Sequence, residues 1–430
     1  MKSIRISRTD KQLKGIINLP SSKSISNRLL IMRAISGGDF IINNLSAAED
    51  TALLEKLLQK MSVGGNSRET VELDCVNAGT NLRFLTSLAA VSKGRWMVTG
   101  SERMKQRPVG ELVENLKLLG ADIEYLGNTG FPPLLIKGRG LKSANLTIDA
   151  RVSSQFISSL LMIGPYLPDG LIIDMKGDPV SEPYIDMTVS LMKNYGINIR
   201  KWKHRIKVDP GKYKEQDFTV ESDWSAASFW FMAAALADEV DITLSGLNEK
   251  SLQGDSVIQN VFSVFGVQAE FVTAGPLNAP GQKPHTVLHL TKRKMHPEGF
   301  YYDFTSHPDI SLPVIATCAA LGIRGRFEGL ASLFIKESDR IRAVSAELQK
   351  LGCKVSVSGG EYPAIEISPS KLKLNPETVT ETYRDHRIAM TFAMLALKTG
   401  TIRIADPGVV TKSYPGFWED LATAGFELMG

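Results

Sequence analysis

The chain has 430 residues, a formal net charge of +4, 43% hydrophobic residues and 22% charged residues. This length exceeds what one hydrophobic core usually organises, so two or more domains are expected. The composition is that of a globular protein, and the small net charge gives no support to nucleic-acid binding. Cys75, Cys318 and Cys353 form no CxxC pair, so neither a disulfide framework nor a zinc site is indicated, and a cytoplasmic setting is expected.

Targeting and membrane segments are not indicated by the sequence. The N-terminus, MKSIRISRTDKQLKG, lacks the apolar segment of a signal peptide. The longest small and apolar stretch, AASFWFMAAALA from Ala226, has 12 residues. Because a membrane-spanning helix needs roughly 20, this stretch predicts a buried helix.

A weak repeat runs along the chain. In each copy a helix-like apolar run ends at a glycine and an alternating strand follows; the glycines are Gly120, Gly196, Gly266, Gly352 and Gly425. A glycine there is typical of a left-handed helix C-cap. The pattern is common in unrelated proteins, but its repetition favours several copies of one α/β unit. A sixth copy is predicted at LLQKMSV, with Met61 in the glycine position, so that three and three units form two similar lobes with a substrate cleft between them.

Cations and hydroxyls stand at the predicted start of the first helices. Lys23, Ser24 and Arg28 lie in LPSSKSISNR, just before an apolar run. In CVNAGTNLRF, Asn77 and Gly79 lie in a turn that opens another helix. Helix N-termini attract anions, and glycine permits close backbone approach, although simple helix capping explains each stretch equally well.

A second group of polar residues follows before residue 190. Arg103, Lys105 and Arg107 are three cations in five residues, either an anion site or an exposed basic loop. The hydroxyl and amide candidates for phosphate or sugar contacts are Ser153, Ser154, Gln155, Ser181 and Tyr184. For each of these taken alone, capping of a helix is the simpler interpretation.

The stretch FIKESDRIRAV predicts a charged helix face. Lys336 and Arg340 are four residues apart, which places two cations on one side of a helix, and Glu337 is three residues from Arg340. The pattern indicates either a salt-bridged surface helix or an anion held by both cations, with Glu337 as a proton carrier.

Three further stretches isolate polar residues beside apolar runs. Asp385, His386 and Arg387 precede a predicted helix, Lys412 lies in a loop bounded by proline and glycine, and Asp309 precedes another helix. Loops of this kind often carry function, whereas both aspartates also suit a helix cap.

Several catalytic motifs are missing from the sequence. It contains no GxxxxGK[ST], GxGxxG, HExxH or GxSxG stretch, so ATP, a dinucleotide, a zinc protease and a serine hydrolase lose support. Many cations, hydroxyl-rich helix starts and a few carboxylates remain, which suits one or two small anionic substrates.

Taken together and in this order, the motifs from LPSSKSISNR to DPGVVTKSYPGFW resemble the 5-enolpyruvylshikimate-3-phosphate synthase family. The resemblance implies an α/β fold, an inside-out α/β barrel of two lobes, each of three βαβαββ repeats with helices inside. Residues 21–221 would form the lobe that binds shikimate 3-phosphate. Residues 1–20 and 222–430 would form the phosphoenolpyruvate and catalytic lobe, with hinge strands near Pro20 and Ser222.

The resemblance also implies the reaction. The enolpyruvyl group of phosphoenolpyruvate would pass to the 5-hydroxyl of shikimate 3-phosphate by addition and elimination, on the route to chorismate and aromatic amino acids. No metal or organic cofactor is implied. The expected partners are the two anionic substrates, without nucleic acid or membrane, and the protein is expected to be a monomer that closes its lobes on the substrates.

Residue roles carry over from the family motif by motif. The implied catalytic residues are Asp309, Glu337, Lys23, Lys412 and His386. The implied shikimate 3-phosphate set is Lys23, Ser24, Arg28, Ser153, Ser154, Gln155, Ser181, Tyr184, Asp309, Ser332 and Lys336. The implied phosphoenolpyruvate set is Lys23, Asn77, Gly79, Arg107, Gln155, Arg340, Arg387 and Lys412, with Arg83 as a possible helper.

The chain departs from the family pattern at a few positions. Where GNAGTAMRP is usual, Val76 replaces glycine, Asn81 replaces alanine and Phe84 replaces proline. Ser332 stands where an asparagine is common and Phe334 where an arginine is common. These departures concern the shape of the phosphoenolpyruvate pocket, its response to glyphosate, and one shikimate contact.

Two other functions are compatible with parts of the sequence. The sister family, UDP-N-acetylglucosamine enolpyruvyl transferase, typically has a cysteine or aspartate near RMKQRP, and no cysteine lies there. A non-catalytic anion sensor would have lost a cation or a proton carrier, whereas Lys23, Asp309, Glu337 and Lys412 are all present.

Overall fold

The computed structural model describes residues 3–65, 69–274, 285–360, 363–373 and 378–430. The chain divides into two compact units: a split unit, Met1–Ser22 with Glu221–Gly430, and a central unit, Lys23–Val220. The crossings thus fall after residues 22 and 220, against the expected positions after residues 20 and 221.

The two crossing segments pair with each other inside the split unit. The amide of Ser22 donates to the carbonyl of Glu221, and the amide of Asp223 donates to the carbonyl of Pro20, both at 2.8 Å. Backbone pairing therefore joins the first and second passages of the chain between the units.

The helices and strands are as follows. The described α-helices are α1 (Lys23–Ser36), α2 (Glu49–Gly64), α3 (Gly79–Val91), α4 (Gly110–Leu118), α5 (Ser154–Ile163), α6 (Glu182–Asn194), α7 (Trp224–Leu236), α8 (Ile258–Ser263), α9 (Ser311–Leu321), α10 (Arg340–Lys350), α11 (His386–Met394), α12 (Ala396–Thr399) and α13 (Phe417–Thr423). The described strands are β1 (Ser3–Ser7), β2 (Gln12–Asn18), β3 (Ile42–Asn43), β4 (Val71–Asp74), β5 (Gly94–Thr99), β6 (Asp122–Tyr125), β7 (Leu134–Gly138), β8 (Asn145–Asp149), β9 (Leu171–Lys176), β10 (Ile199–Trp202), β11 (Arg205–Val208), β12 (Phe218–Thr219), β13 (Glu239–Ser245), β14 (Val267–Ala274), β15 (His285–Lys292), β16 (Gly299–Asp303), β17 (Arg324–Glu328), β18 (Lys354–Ser358), β19 (Ala364–Ser368), β20 (Val379–Thr380), β21 (Thr401–Ala405) and β22 (Glu427–Met429).

Four-stranded sheets of one topology recur in both units. The orders are β4-β5-β7-β6 and β8-β9-β11-β10 in the central unit, and β16-β17-β19-β18, β2-β13-β15-β14 and β20-β21-β1-β22 in the split unit. In each sheet the first pair is parallel and the next two pairs are antiparallel. In the sheets β4-β5-β7-β6, β8-β9-β11-β10 and β16-β17-β19-β18, a helix follows each of the first two strands, so each of these three sheets belongs to one continuous βαβαββ unit.

The N-terminal strands explain why one unit is discontinuous. Strand β1 is the third strand of a sheet whose other strands are β20, β21 and β22, and β2 is the edge strand beside β13. The split unit therefore needs the first residues of the chain to complete two of its sheets.

The five predicted glycine caps are confirmed. Gly120, Gly196, Gly266, Gly352 and Gly425 have φ values of 93°, 83°, 85°, 78° and 90°. Glycine adopts this left-handed region without the steric cost that a Cβ atom adds, and it ends the preceding helix.

The predicted sixth copy is wrong at Met61. This residue lies inside α2, which continues to Gly64, and the following Gly65 has a right-handed φ of −61°. Methionine is a good helix former, so nothing at that point stops the helix. The remaining sheet of the central unit is a parallel pair of two-residue strands, β3 and β12.

Apolar helices form the interior of each unit. The predicted buried helix at Ala226 is α7, all of whose residues are buried, and it packs on α9 and α11 in the split unit. In the central unit α3 packs against α1 and α5. Within the described ranges, no helix has the length and apolar character needed to span a membrane.

Candidate active site

In the central unit, predicted site residues stand at the starts of four helices. Lys23 begins α1, Gly79 begins α3, Ser154 begins α5, and Ser181 immediately precedes α6. First-turn amide groups lack partners within their helix and carry partial positive charge. Hydrogen bonds join these four helices: Arg28 of α1 bonds to Ser158 of α5 and Thr188 of α6, and Gln155 of α5 bonds to Thr80 of α3.

Arg28 is 2% exposed and is held by oxygen atoms of three helices. Its Nε donates to Thr188 Oγ1 at 2.7 Å, and Nη1 donates to the carbonyl of Ser24 at 2.9 Å. Its Nη2 donates to Ser158 Oγ at 3.3 Å and to the carbonyl of Tyr184 at 3.2 Å. All of these acceptors are uncharged.

The surroundings of Arg28 do not neutralise its charge. The guanidinium carbon lies 5.3 Å from the ring centre of Phe84 and 5.9 Å from that of Tyr184. Burial lowers the pKa of Arg28 to about 10, and Tyr184 offsets this only in part. Arg28 therefore stays positive at neutral pH.

Lys23 is paired with a carboxylate that the sequence analysis did not identify. Its Nζ lies 2.9 Å from Oδ2 of Asp50, in the first turn of α2, and both side chains are mostly buried. Asp50 follows Lys23 by 27 residues, so no local spacing could have indicated the pair.

Two guanidinium groups close over Gly79. A Cβ atom at this position would lie 2.5 Å from Nη1 of Arg107 and 2.6 Å from Nη1 of Arg83. Arg83 donates to the carbonyls of Gly79 (3.0 Å) and Pro108 (3.1 Å), and Arg107 donates to the carbonyl of Asn77 (3.5 Å). A side chain at this position would displace the ends of both arginines, so glycine lets the two cations lie close to the backbone.

The predicted hydroxyl and amide residues lie on α5 and before α6. Ser153 caps α5 by accepting the amide of Gln155 at 3.3 Å, and Gln155 Nε2 donates to Thr80 Oγ1 at 3.2 Å. Ser154 and Ser181 are buried. Ser181 has a left-handed φ of 57° and its side chain makes no cap hydrogen bond, so capping does not explain it.

In the split unit, Arg340 gathers three carboxylates. Its Nε lies 2.8 Å from Asp385 Oδ2, its Nη2 2.9 Å from Glu337 Oε2, and its Nη1 3.2 Å from Asp309 Oδ1. Arg340 is 2% exposed. Burial opposes its charge, but Asp385, Glu337 and Asp309 outweigh that cost and raise the pKa of Arg340.

Asp309 lies among three cations, and the N-cap position of α9 is taken by Ile310. Its carboxylate is 3.2 Å from Arg340, 3.2 Å from Arg387 and 3.7 Å from Lys336. Its carbonyl accepts from Arg387 Nη1 at 2.8 Å. Burial favours the neutral acid, but Arg387, Lys336 and Arg340 hold the pKa of Asp309 well below its usual range, so it remains ionised.

Glu337 bridges two cations from different elements. Its Oε2 meets Arg340, and its Oε1 lies 3.3 Å from Nζ of Lys412. Lys412 ends a 3-10 helix, Pro407–Lys412, and is buried. The structure thus joins two residues that are 75 positions apart.

The prediction that Lys336 and Arg340 share one helix face is wrong. Asp339 Oδ1 accepts the amide of Arg342 at 3.0 Å, which starts α10 at Arg340. Lys336 lies before the cap in an extended conformation. An aspartate at the N-cap position outcompetes continuation of the helix toward Lys336, yet both cations still meet Asp309.

The start of α11 combines capping with charge pairing. Asp385 accepts the amide of Arg387 at 3.0 Å and also pairs with Arg340, so capping and ion pairing coexist. His386 is buried, with Nδ1 3.8 Å from Asp385. The two residues before Asp385, Tyr383 and Arg384, have left-handed φ values of 53° and 57°.

Asp255 is a buried carboxyl that the sequence analysis missed. It accepts a hydrogen bond from the hydroxyl of Ser225 at the start of α7. Burial, followed by the negative charge of Asp309, raises the pKa of Asp255 to about 7. A single aspartate in the stretch LQGDSV carries no signal that it will be buried near Asp309.

Ser332 lies in a 3-10 helix, Ala331–Ile335, next to the charged segment. Its hydroxyl oxygen is buried and accepts or donates no hydrogen bond among the described residues. A buried unsatisfied hydroxyl is costly, so this atom suits a contact with a bound molecule.

The chain is similar to known proteins over nearly its whole length. The model of the family described as EPSP synthase (3-phosphoshikimate 1-carboxyvinyltransferase) matches residues 7–421. A 3-phosphoshikimate 1-carboxyvinyltransferase of Bacteroides fragilis is 44% identical over 417 residues, 96% of each chain. Another from Aliivibrio salmonicida is 33% identical over 443 residues, 98% of this chain and 99% of the relative.

Solved structures show the same fold. Two structures of EPSP synthase from Acinetobacter baumannii have TM-scores of 0.75 and 0.77, cover 100% of both chains, and are 22% and 21% identical to this chain. The predicted two-lobe inside-out α/β fold is thereby confirmed. The chain therefore belongs to the EPSP synthase family, and it is an enzyme of enolpyruvyl transfer in the shikimate pathway.

Proposed function

We propose that the buried charges described above carry out the transfer from phosphoenolpyruvate to the 5-hydroxyl of shikimate 3-phosphate. The hydroxyl oxygen bonds to the central carbon of phosphoenolpyruvate, the hydroxyl proton leaves, and a proton adds to the methylene carbon. This gives a tetrahedral intermediate. Loss of a proton from the new methyl group and departure of phosphate restore the double bond.

The observation that carries this proposal is the position of Glu337 and Asp309 among four cations. Glu337 contacts Arg340 and Lys412, and Asp309 contacts Arg340, Arg387 and Lys336. Charges held in place in this way can stabilise an anionic transition state without reorganising during the reaction.

We assign the proton transfers to these carboxylates and to neighbouring lysines. Asp309 is ionised, the form that can accept the hydrogen of the substrate hydroxyl. Glu337 lies between two cations and acts as the proton carrier for the methylene carbon. Lys23 and Lys412 assist these proton transfers, as does His386 beside Asp385.

Shikimate 3-phosphate is assigned mainly to the central unit. Arg28 and Ser24 would take the carboxylate, Ser153, Ser154 and Ser181 the phosphate, and Tyr184 the ring. Charge supports this assignment, since Arg28 is positive and has only neutral acceptors. The further contacts assigned to this substrate are Lys23, Gln155, Asp309, Ser332 and Lys336.

Phosphoenolpyruvate is assigned to the cations around Gly79 and Arg340. The close approach of Arg83 and Arg107 to Gly79 supports an anion at that point, because like charges are stabilised by a shared anion. The assigned residues are Lys23, Asn77, Gly79, Arg107, Gln155, Arg340, Arg387 and Lys412.

A phosphate-release assay tests the substrate assignment. Purified protein is mixed with phosphoenolpyruvate and shikimate 3-phosphate without added metal, and in parallel with UDP-N-acetylglucosamine as the acceptor. We expect phosphate release when shikimate 3-phosphate is the acceptor and no release with UDP-N-acetylglucosamine. Release only with the nucleotide sugar would contradict the assignment, and binding of shikimate 3-phosphate without release would favour an anion sensor.

The variant Glu337→Gln tests the proton carrier. Because general acid–base groups contribute about 10²–10⁴-fold, kcat should fall by that factor while the KM of both substrates changes little. Glu328→Gln, on strand β17, is the matched control and should keep full turnover. Near-normal turnover of Glu337→Gln would remove Glu337 from the mechanism.

We also propose that the enzyme works as a monomer in the cytoplasm. Cys75, Cys318 and Cys353 are buried free thiols, which suits a reducing compartment. Light scattering during gel filtration should give one species of 47.1 kDa. A species of twice that mass would contradict the monomer.

A further inference from the structure

Asn81, in the first turn of α3, is fully buried and forms hydrogen bonds with α1 and α2. Its Nδ2 donates to the backbone carbonyl of Asp50 in α2 at 2.6 Å. Its Oδ1 accepts from Nδ2 of Asn27 in α1 at 3.1 Å. The side chain therefore uses both its donor and its acceptor group where three helices meet.

The two partners of Asn81 make further contacts, and one of these is the ion pair with Lys23. Asn27 Oδ1 accepts the hydroxyl of Thr51, the residue after Asp50, at 2.7 Å. The carboxylate of Asp50 in turn holds Nζ of Lys23 at 2.9 Å. Consecutive residues of α2 are thus bonded, Asp50 through its backbone carbonyl and Thr51 through its hydroxyl, and the carboxylate of Asp50 pairs with Lys23.

We propose that Asn81 is a positioning residue that holds the backbone of Asp50, and through the Asp50 carboxylate the ammonium group of Lys23. The proposal rests on the role given to Lys23 in substrate binding and catalysis.

The physical reason is the flexibility of lysine. Its ammonium group ends a flexible four-carbon stem, so its position depends on the partner that holds it. Asn81 donates to the backbone carbonyl of Asp50, so only a few covalent bonds separate this hydrogen bond from the ion pair with Lys23. A misplacement of about 1 Å at a reacting centre can cost ~10²-fold in rate, so a small shift of α2 is enough to matter.

The test compares Asn81→Ala with Thr86→Val in steady-state kinetics and thermal unfolding. Thr86 is also buried on α3, but its hydroxyl donates only to the carbonyl of Leu82 in its own helix. Both variants should unfold at a lower temperature. Only Asn81→Ala should lower kcat/KM, by roughly 10-fold for both substrates, which corresponds to about 1.4 kcal/mol.

A double-mutant cycle with Asp50→Asn separates positioning from general destabilisation. If Asn81 acts through Asp50, Asn81→Ala should lower kcat/KM by less than about 2-fold in the Asp50→Asn background. Equal losses in both backgrounds would overturn the proposal, and so would unchanged kinetics of Asn81→Ala. Thr86→Val should be additive with Asp50→Asn.

The variant Lys23→Met distinguishes failure of this inference from failure of the proposed function. Full transfer activity in Lys23→Met would remove the role of Lys23 and the positioning role with it. Activity lost in Lys23→Met but unchanged in Asn81→Ala would overturn the positioning role alone and leave the proposed function standing.

Discussion

Arg28 in the central unit and Arg340 in the split unit are equally buried, at 2% exposure, yet their partners are opposite in kind. Arg28 donates to hydroxyl and carbonyl oxygens, and burial lowers its pKa to about 10. Arg340 meets Asp309, Glu337 and Asp385, which raise its pKa despite burial.

The difference teaches what each region can do. A buried cation with neutral partners keeps an unbalanced charge, which favours binding of an anion from solution. A buried cation with carboxylate partners has its charge balanced and instead fixes those carboxylates in place. The first arrangement suits substrate binding, and the second suits proton transfer by Glu337 and Asp309.

The largest expected effect is that of Arg340→Gln. It leaves Asp309, Glu337 and Asp385 without their shared cation, and removing one partner of a buried ion pair typically costs about 3–5 kcal/mol of unfolding free energy. Turnover should also be lost. Urea unfolding measures the change, and Arg342→Gln, an exposed position on the same helix, should stay within about 0.5 kcal/mol of the parent.

Arg28→Gln should change the stability of the protein little and its substrate binding strongly. The acceptors of Arg28 also bond one another, since Thr188 Oγ1 donates to Ser158 Oγ at 3.0 Å or to the carbonyl of Tyr184 at 2.9 Å. Stability should therefore fall by only about 1 kcal/mol.

Binding, in contrast, should suffer strongly in the same variant. Loss of charged hydrogen bonds worth about 1.5–3 kcal/mol predicts a 10- to 150-fold higher Kd for shikimate 3-phosphate. Calorimetric titration measures it, with Arg33→Gln on α1 as the control. An unchanged Kd would mean that the charge of Arg28 serves the fold and not the substrate.

Asp255→Asn tests whether the split unit holds a carboxyl that titrates near neutral pH. With a folded pKa of about 7 against an ordinary value of 3.8, Asp255 is neutral when folded and ionised when unfolded at intermediate pH. Its contribution to the unfolding free energy is complete below pH 3.8 and is lost as pH rises through 7.

The variant removes this titration. Its unfolding free energy minus that of the parent should therefore rise between pH 4 and pH 7, by up to about 1.4 kcal/mol per pH unit, and then level off. Urea unfolding across this pH range measures the difference. Asp122→Asn, a control at a partly exposed position, should show a constant difference, and a constant difference for Asp255→Asn would contradict the raised pKa.

The smallest expected effect concerns a left-handed residue that precedes a helix in each unit. Val76 precedes α3 with φ 48°, and Arg384 precedes α11 with φ 57°. Left-handed backbone costs non-glycine residues about 1–2 kcal/mol, more for a β-branched one.

Glycine at either position should therefore stabilise the protein. We expect Val76→Gly to raise the unfolding free energy by about 1 kcal/mol. Arg384→Gly should raise it by somewhat less, because arginine is not β-branched. Both gains are reduced by the extra entropy of glycine in the unfolded chain. Thermal unfolding measures both. Destabilisation by either glycine would show that the side chain makes contacts worth more than the backbone strain.

The sequence by itself determined the repeated unit and the residue types of the site. The glycine caps could be predicted because a left-handed cap is a local requirement, and the motif order identified the family. At Met61 the local pattern failed because the helix former continued the helix, and at Lys336 because the cap at Asp339 started the helix later.

Only the tertiary structure decided which charges meet. The pairs Lys23–Asp50 and Glu337–Lys412, and the bond from Asn81 to Asp50, join residues far apart in the chain. The partners that distinguish Arg28 from Arg340, and the burial that raises the pKa of Asp255, are likewise absent from any local pattern. Ion pairing and desolvation depend on distance and solvent access, and these quantities exist only once the sheets have closed around the helices.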